Sequence, residues 1–274
     1  MFRRHSAAAG LADRLCRPQR VGVFGHRGVG KTTLLTMLYR EAVHGQLPDL
    51  RLAAADARSA DYLSGKIVQL ESGQPLPATL AETDLRFHLY HKQTRIELLV
   101  KDYQGEHVEL AREGPLQDFL RDCDAVWLCL DPTAAPEPVD GLTRQQEIER
   151  LIEDYLGAEA DRNIRRPIAL LITKADLLDQ KVRELPPFAS QEVVNELVSL
   201  RFGMTRHTLR KHCPLNALIA VSSLASGGRK PPVEDETHGG LTPPARQDFV
   251  LEPWNLTEPL AWLAESLQDR KSVV

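Results

Sequence analysis

The sequence predicts an α/β fold: a mostly parallel sheet covered by helices on both faces. Near-continuous apolar runs at 21–24, 96–100, 125–130, 168–172 and 218–221 read as strands. Strands buried on both faces need such runs, whereas half-buried strands alternate. The run at 85–90 is expected to pair with the one at 96–100. Between two runs, Ile148, Leu151, Ile152, Tyr155 and Leu156 recur at helical spacing, with Thr143 and Gln146 placed as a capping box before them. Strands alternating with helical stretches form a doubly wound pattern. The chain ends with a further helical phrase from Thr257, in which Pro259 suits the first turn and Leu260, Leu263, Ala264 and Leu267 share one face.

The first strand leads into Gly25-His26-Arg27-Gly28-Val29-Gly30-Lys31-Thr32, which is G-x-x-x-x-G-K-T, and then into the helical Thr33-Leu34-Leu35-Thr36-Met37-Leu38. Strand, glycine loop and helix is the context in which this phosphate-binding loop occurs. Glycines open positive φ and let backbone N–H groups approach an anion, and the first helical turn adds its own N–H groups. Lys31 reaches the outer phosphates as a point charge, and the Thr32 hydroxyl suits Mg²⁺. Phosphate then lies at the carboxyl edge of the sheet, so any further motif should follow directly after a strand.

Two motifs do. The run 96–100 leads into Lys101-Asp102-Tyr103-Gln104-Gly105-Glu106, where Asp102 can hold hydrated Mg²⁺ and the Gly105 N–H can approach a γ-phosphate. The run 168–172 leads into Thr173-Lys174-Ala175-Asp176. A carboxylate at Asp176 can accept two hydrogen bonds from guanine, which adenine cannot supply, and the Lys174 stem can lie over the base. After 218–221, Ser222-Ser223-Leu224 offers backbone N–H groups for the guanine O6, a weak signal by itself because serines commonly end strands.

In order and spacing these motifs resemble the Ras-like small GTPases of the translation-factor-related P-loop class, over residues 21–224 with a matching last helix. T-K-x-D stands as a variant of the usual N-K-x-D. The phrase Pro75-Leu76-Pro77-Ala78-Thr79-Leu80 and Asp131-Pro132-Thr133 look like bacterial GTPases of the double-GTPase type. The resemblance implies GTP or GDP with Mg²⁺ as ligands. Gly25, Arg27, Gly28, Val29, Gly30, Lys31, Thr32 and Thr33 would surround the phosphates. Lys174, Asp176, Ser222, Ser223 and Leu224 would surround the base. Thr32, Asp102 and a switch threonine would hold the metal, with Thr79 preferred for the switch and Thr83 second. Catalysis would involve Lys31, Thr79, Gln104, Gly105 and Glu106.

Two residues depart from the family. Arg27 stands where most members carry a small residue, and either crowds the attacking water or adds positive charge. Glu106 stands where many carry a water-positioning glutamine, and its charge is unfavourable beside a γ-phosphate. Gln104 is the nearby alternative. His26 reads as a surface histidine and Cys129 as a small buried hydrophobe.

The rest of the composition narrows the function class. A formal charge of −4 gives no global preference for nucleic acid. No apolar stretch is long enough for a transmembrane helix. The four cysteines show no paired or zinc-binding spacing, which points to a reducing, cytoplasmic setting. Residues 1–19 read as a basic arm and 20–274 as a single domain with inserts near 44–82, 177–212 and 225–253. The basic stretch from Arg201 to His212 reads as a solvated helix face, and Trp254 as a packing anchor. The expected function is a cytoplasmic guanine-nucleotide switch that hydrolyses GTP slowly and signals to a protein partner. The rivals are a GTP-holding scaffold without hydrolysis and an ATP-using P-loop enzyme. Oligomeric state and pathway are not written in the sequence.

Overall fold

The computed structural model describes residues 18–26, 28–47, 49–77, 83–92, 94–102, 122–131, 138–139, 142–143, 166–177, 196, 203–224, 251 and 253–272. Its strands are β1 (Gln19–Phe24), β2 (Leu50–Ala54), β3 (Thr83–His91), β4 (Thr94–Asp102), β5 (Ala125–Leu130), β6 (Pro138–Val139), β7 (Leu142–Thr143), β8 (Ile168–Ile172) and β9 (Asn216–Ala220). Its helices are α1 (Lys31–Val43), α2 (Ala57–Glu71), α3 (Gly203–His212) and α4 (Thr257–Ser272), with a 3-10 turn at Ala175–Leu177. The helical phrase at 148–156 and its capping glutamine fall outside the described residues.

Seven strands form one sheet in the order β2-β3-β4-β1-β5-β8-β9. The run β4-β1-β5-β8-β9 is parallel throughout, and β2 and β3 pair antiparallel on the β4 side. The short β6 and β7 pair with each other in a second, two-stranded sheet. Parallel order aligns the carboxyl ends of β4, β1, β5, β8 and β9 along one edge, which is where an open α/β sheet binds its ligand.

Side-chain alternation accounts for the continuous apolar runs. In β5, Ala125, Trp127 and Cys129 enter one core, while Val126, Leu128 and Leu130 enter a second core on the other face. In β8, Ala169 and Leu171 enter the first and Ile168, Leu170 and Ile172 the second. β1 divides likewise, with Val21 and Val23 in one and Phe24 in the other. The first core takes Leu34, Leu35, Met37 and Leu38 of α1, Leu63 and Leu70 of α2, and Leu260, Leu263, Ala264 and Leu267 of α4. The second takes Leu209 of α3 and Cys213. The basic side of α3 keeps His207, Arg210 and Lys211 exposed, as its charge pattern requires.

The stretch 44–82 contains two elements that its mixed composition conceals. Strand β2 is at the sheet edge and buries only Leu50 and Leu52 among exposed neighbours. Helix α2 starts at Asp56, whose carboxylate accepts the Ser59 backbone N–H at 2.7 Å. That bond satisfies one of the free donors of the first turn and holds the Asp56 carboxyl below the usual range. Arg40 of α1 ties the two helices by donating to Glu71 at 2.9 Å, besides pairing with Glu41.

Helix α4 buries Leu263 completely. Leu263→Ala removes that side chain from a packed interior and should cost about 2–5 kcal/mol. Urea unfolding checks this, and an unchanged midpoint would mean that α4 does not seal the first core.

Candidate functional site

The glycine loop leaves β1 at its carboxyl end and re-enters at α1. Among its described residues, Gly25 at 147°, Gly28 at 76° and Gly30 at 96° have positive φ. At Gly25 space is limiting as well, since a Cβ there would stand 2.5 Å from the Cys129 carbonyl oxygen. At Gly28 and Gly30 a Cβ would meet nothing within 4 Å, so the backbone conformation alone calls for glycine. Gly30 caps α1 in the left-handed conformation without a side-chain bond, which leaves the first-turn N–H groups without a competing cap.

Lys31 is the first residue of α1 and only 6% exposed. Its ammonium donates to the carbonyls of Gly25 at 2.7 Å and His26 at 3.0 Å, so the cation closes across the loop that precedes it. Thr32 and Thr33 follow in the first helical turn, both half-buried, and Val29 is buried. His26 departs from its expected surface position. It is 7% exposed, and its carbonyl faces inward to accept both Lys31 Nζ and, at 3.4 Å, the Val29 N–H. It belongs to the inner wall of the loop and not to its rim. Arg27 lies outside the described residues.

The other motifs sit on the neighbouring strand ends. Asp102 is the last residue of β4 and is paired in register with Val23, so it stands beside the start of the glycine loop. On its other side Asp102 pairs with Thr83, the second-choice switch threonine. Only the backbone of Asp102 and of Asp176 is described, the latter within the 3-10 turn after β8. Thr79, Gln104, Gly105 and Glu106 lie outside the described residues.

The turn after β8 is fastened on three sides. The Thr173 hydroxyl lies 2.6 Å from the Val29 carbonyl of the glycine loop and 3.0 Å from that of Leu130. Lys174 has a φ of 52°, rare for a residue with a side chain, and its ammonium pairs with Asp131 Oδ2 at 2.6 Å. The Ala175 N–H donates to the Val221 carbonyl at 3.1 Å, tying this turn to the one after β9. There Ser222 and Ser223 are buried and Leu224 half-buried. Ser222 exchanges two backbone bonds with Trp254, at 3.1 and 2.8 Å. Asn255, at φ 56°, donates to Ala220 O and Glu258 Oε2. Trp254 thus packs on the second core, as expected of an anchor, and also braces the Ser222 turn.

The sequence assigned no role to Thr173 or Asp131, although both stand in its motifs. The signal for Thr173 was present, since it opens T-K-x-D, but its partner Val29 is 144 positions away. The Cys123 and Cys213 thiols play no part here. Burial pushes the Cys123 thiol up to about 12 and the Cys213 thiol up to about 11, which keeps both protonated and unreactive. Among the described residues no cluster of His, Cys, Asp or Glu forms a metal cage.

A mostly parallel sheet bearing G-x-x-x-x-G-K-T between its first strand and first helix defines a P-loop NTPase. The Double-GTPase 2 family profile matches residues 19–214, and the chain belongs to that family. Among solved structures it is similar to the Arl6 BBS3 small GTPase from Trypanosoma brucei with bound nucleotide analogue GppNp, at 16% identity and a TM-score of 0.46, over 92% of this chain and 99% of that one. No curated protein matches the sequence. Among the described residues no helix is long and apolar enough to cross a membrane.

The difference among the glycines is measurable. Gly25→Ala combines backbone strain with overlap on a main-chain oxygen, whereas Gly28→Ala brings only strain, about 1–3 kcal/mol. Urea titration should show Gly25→Ala as the more damaging, and equal losses would remove the close approach to Cys129 as the reason for that glycine.

Proposed function

We propose that this chain is a guanine-nucleotide switch that binds GTP and GDP with Mg²⁺, hydrolyses GTP slowly and signals to a protein partner. Family membership supports the GTPase class. The observation that carries the finer reading is the Thr173 hydroxyl on Val29 O, which joins the turn bearing Lys174 and Asp176 to the glycine loop. A base reader and a phosphate cradle held together in this way suit a single nucleotide spanning both.

In this reading the N–H groups of Gly28 to Thr33 receive the phosphates, and Lys31 supplies a cation that is already sheltered from water. Thr32, Asp102 and Thr79, or Thr83 in its place, are the oxygen donors toward Mg²⁺, which supplies charge neutralisation at the outer phosphates when bound. Asp176 selects guanine, the Lys174 stem covers it, and the turn Ser222-Ser223-Leu224 offers N–H groups to its O6. Gly105 and the residues around it, Gln104 and Glu106, stand for the γ-phosphate sensor and the water-positioning group. Ordering of those segments by GTP, and their release after hydrolysis, would present a surface to a partner in one state only.

Base selection tests the core of the proposal. Calorimetry should show GTP and GDP bound far more tightly than ATP, since a site built to pair a polar edge rejects a ligand lacking it by about 10⁴-fold or more. Asp176→Asn should move the preference toward xanthine nucleotides. Equal wild-type affinity for ATP and GTP would favour the ATP-using reading instead.

Hydrolysis tests the finer part. Phosphoryl transfer depends on positioning and charge, and an arginine from a partner adds about 10³–10⁵-fold. With Glu106 at the expected water-positioning place, unassisted single turnover should take minutes or longer, and Glu106→Gln should raise the rate or leave it unchanged. Loss of a fast wild-type reaction in Glu106→Gln would make Glu106 a working group. Tight GTP binding with no turnover would favour the scaffold reading.

A further inference from the structure

Asp131 has no part in the reading above, yet it meets one of that reading's base residues. It follows β5 directly, and the pairing of Leu130 with Ile172 puts it beside Thr173 and Lys174. Its carboxylate is 2.6 Å from Lys174 Nζ, with side-chain exposures of 13% for Asp131 and 36% for Lys174. Exposed ion pairs hold a lysine loosely because its long stem retains many rotamers, whereas a sheltered partner fixes the ammonium more firmly. The other end of Lys174 is fixed too. Its backbone is in the left-handed region at φ 52°, and the flanking residues are tied down by Thr173 on Val29 O and by the Ala175 N–H on Val221 O. A lysine held at both ends presents its methylenes as a rigid apolar strip.

We propose that Asp131 is a positioning residue for guanine-nucleotide binding, holding Lys174 extended so that its stem is pre-organised as a shelf for the purine. This rests on the base-binding role given to Lys174 above. A preformed shelf spares the ligand the ordering of a flexible side chain, so its loss appears in affinity for the base and not for the phosphates. Simple electrostatics has the opposite sign: removing a carboxylate from the neighbourhood of a polyanion would strengthen phosphate binding.

The test compares GDP with inorganic pyrophosphate by calorimetry in Mg²⁺. Asp131→Asn should weaken GDP about tenfold, the scale of a lost charge-assisted hydrogen bond, while pyrophosphate affinity stays the same or rises. Lys174→Met keeps the stem and removes the ammonium, so it should show the same pattern, and adding Asp131→Asn to it should change nothing further. Unchanged or tighter GDP binding in Asp131→Asn, or additive losses in the double variant, would overturn the proposal. Should ligand-free melting show Asp131→Asn unfolded, Lys174→Met decides alone, and wild-type GDP affinity in it would overturn the proposal. Wild type binding GDP and ADP equally would instead count against the base reading itself, and is seen without any variant.

Discussion

The carboxyl edge of the sheet is organised around one close approach of main chain to main chain. Gly25 leaves β1 so near the Cys129 carbonyl that a Cβ would stand 2.5 Å from it. That contact seats the glycine loop against the end of β5. With the loop so placed, the Val29 carbonyl faces Thr173 at the end of β8, one strand further along. The loop therefore spans three neighbouring strands, and each link has backbone on at least one side. Such links ask little of the sequence beyond a missing side chain or a single hydroxyl.

Rigid strands make this arrangement dependable. β1, β5 and β8 carry alternate residues into two separate apolar cores, so their ends are held from both faces. Loops that do chemistry sit on the surface and rely on such scaffolds for their geometry. The strain that the site stores, in the left-handed Lys174 and Asn255, is tolerable because hydrogen bonds on either side leave no relaxed alternative.

What the sequence disclosed, and what it hid, divides along physical lines. The β1 to α1 loop was legible because positive φ and close approach demand glycines at fixed spacing. β5 and β8 were legible because burial on two faces removes nearly every polar residue. β2 was not, since an edge strand with only Leu50 and Leu52 buried carries too little pattern to stand out. α2 was hidden too, although Asp56 and Ser59 form a local cap, because the apolar stripe following them is sparse. The ties of Thr173 to Val29 and of Lys174 to Asp131 join residues 144 and 43 positions apart, and no local periodicity reports a tertiary bond. His26 looked like a loop residue open to water because sequence tells nothing of which way a carbonyl turns.

The bridge between Ser222 and Trp254 has an entropic corollary. The chain departs from and returns to the same spot, with Asn255 locking the return before α4 begins. The entropy of closing such an excursion grows only with the logarithm of its length, by about 0.6 kcal/mol per doubling. With Ser222 and Trp254 held together, the length of chain between them therefore bears little on the sheet or on α4. In the nine-residue hairpin strands β3 and β4, by contrast, every insertion shifts a register.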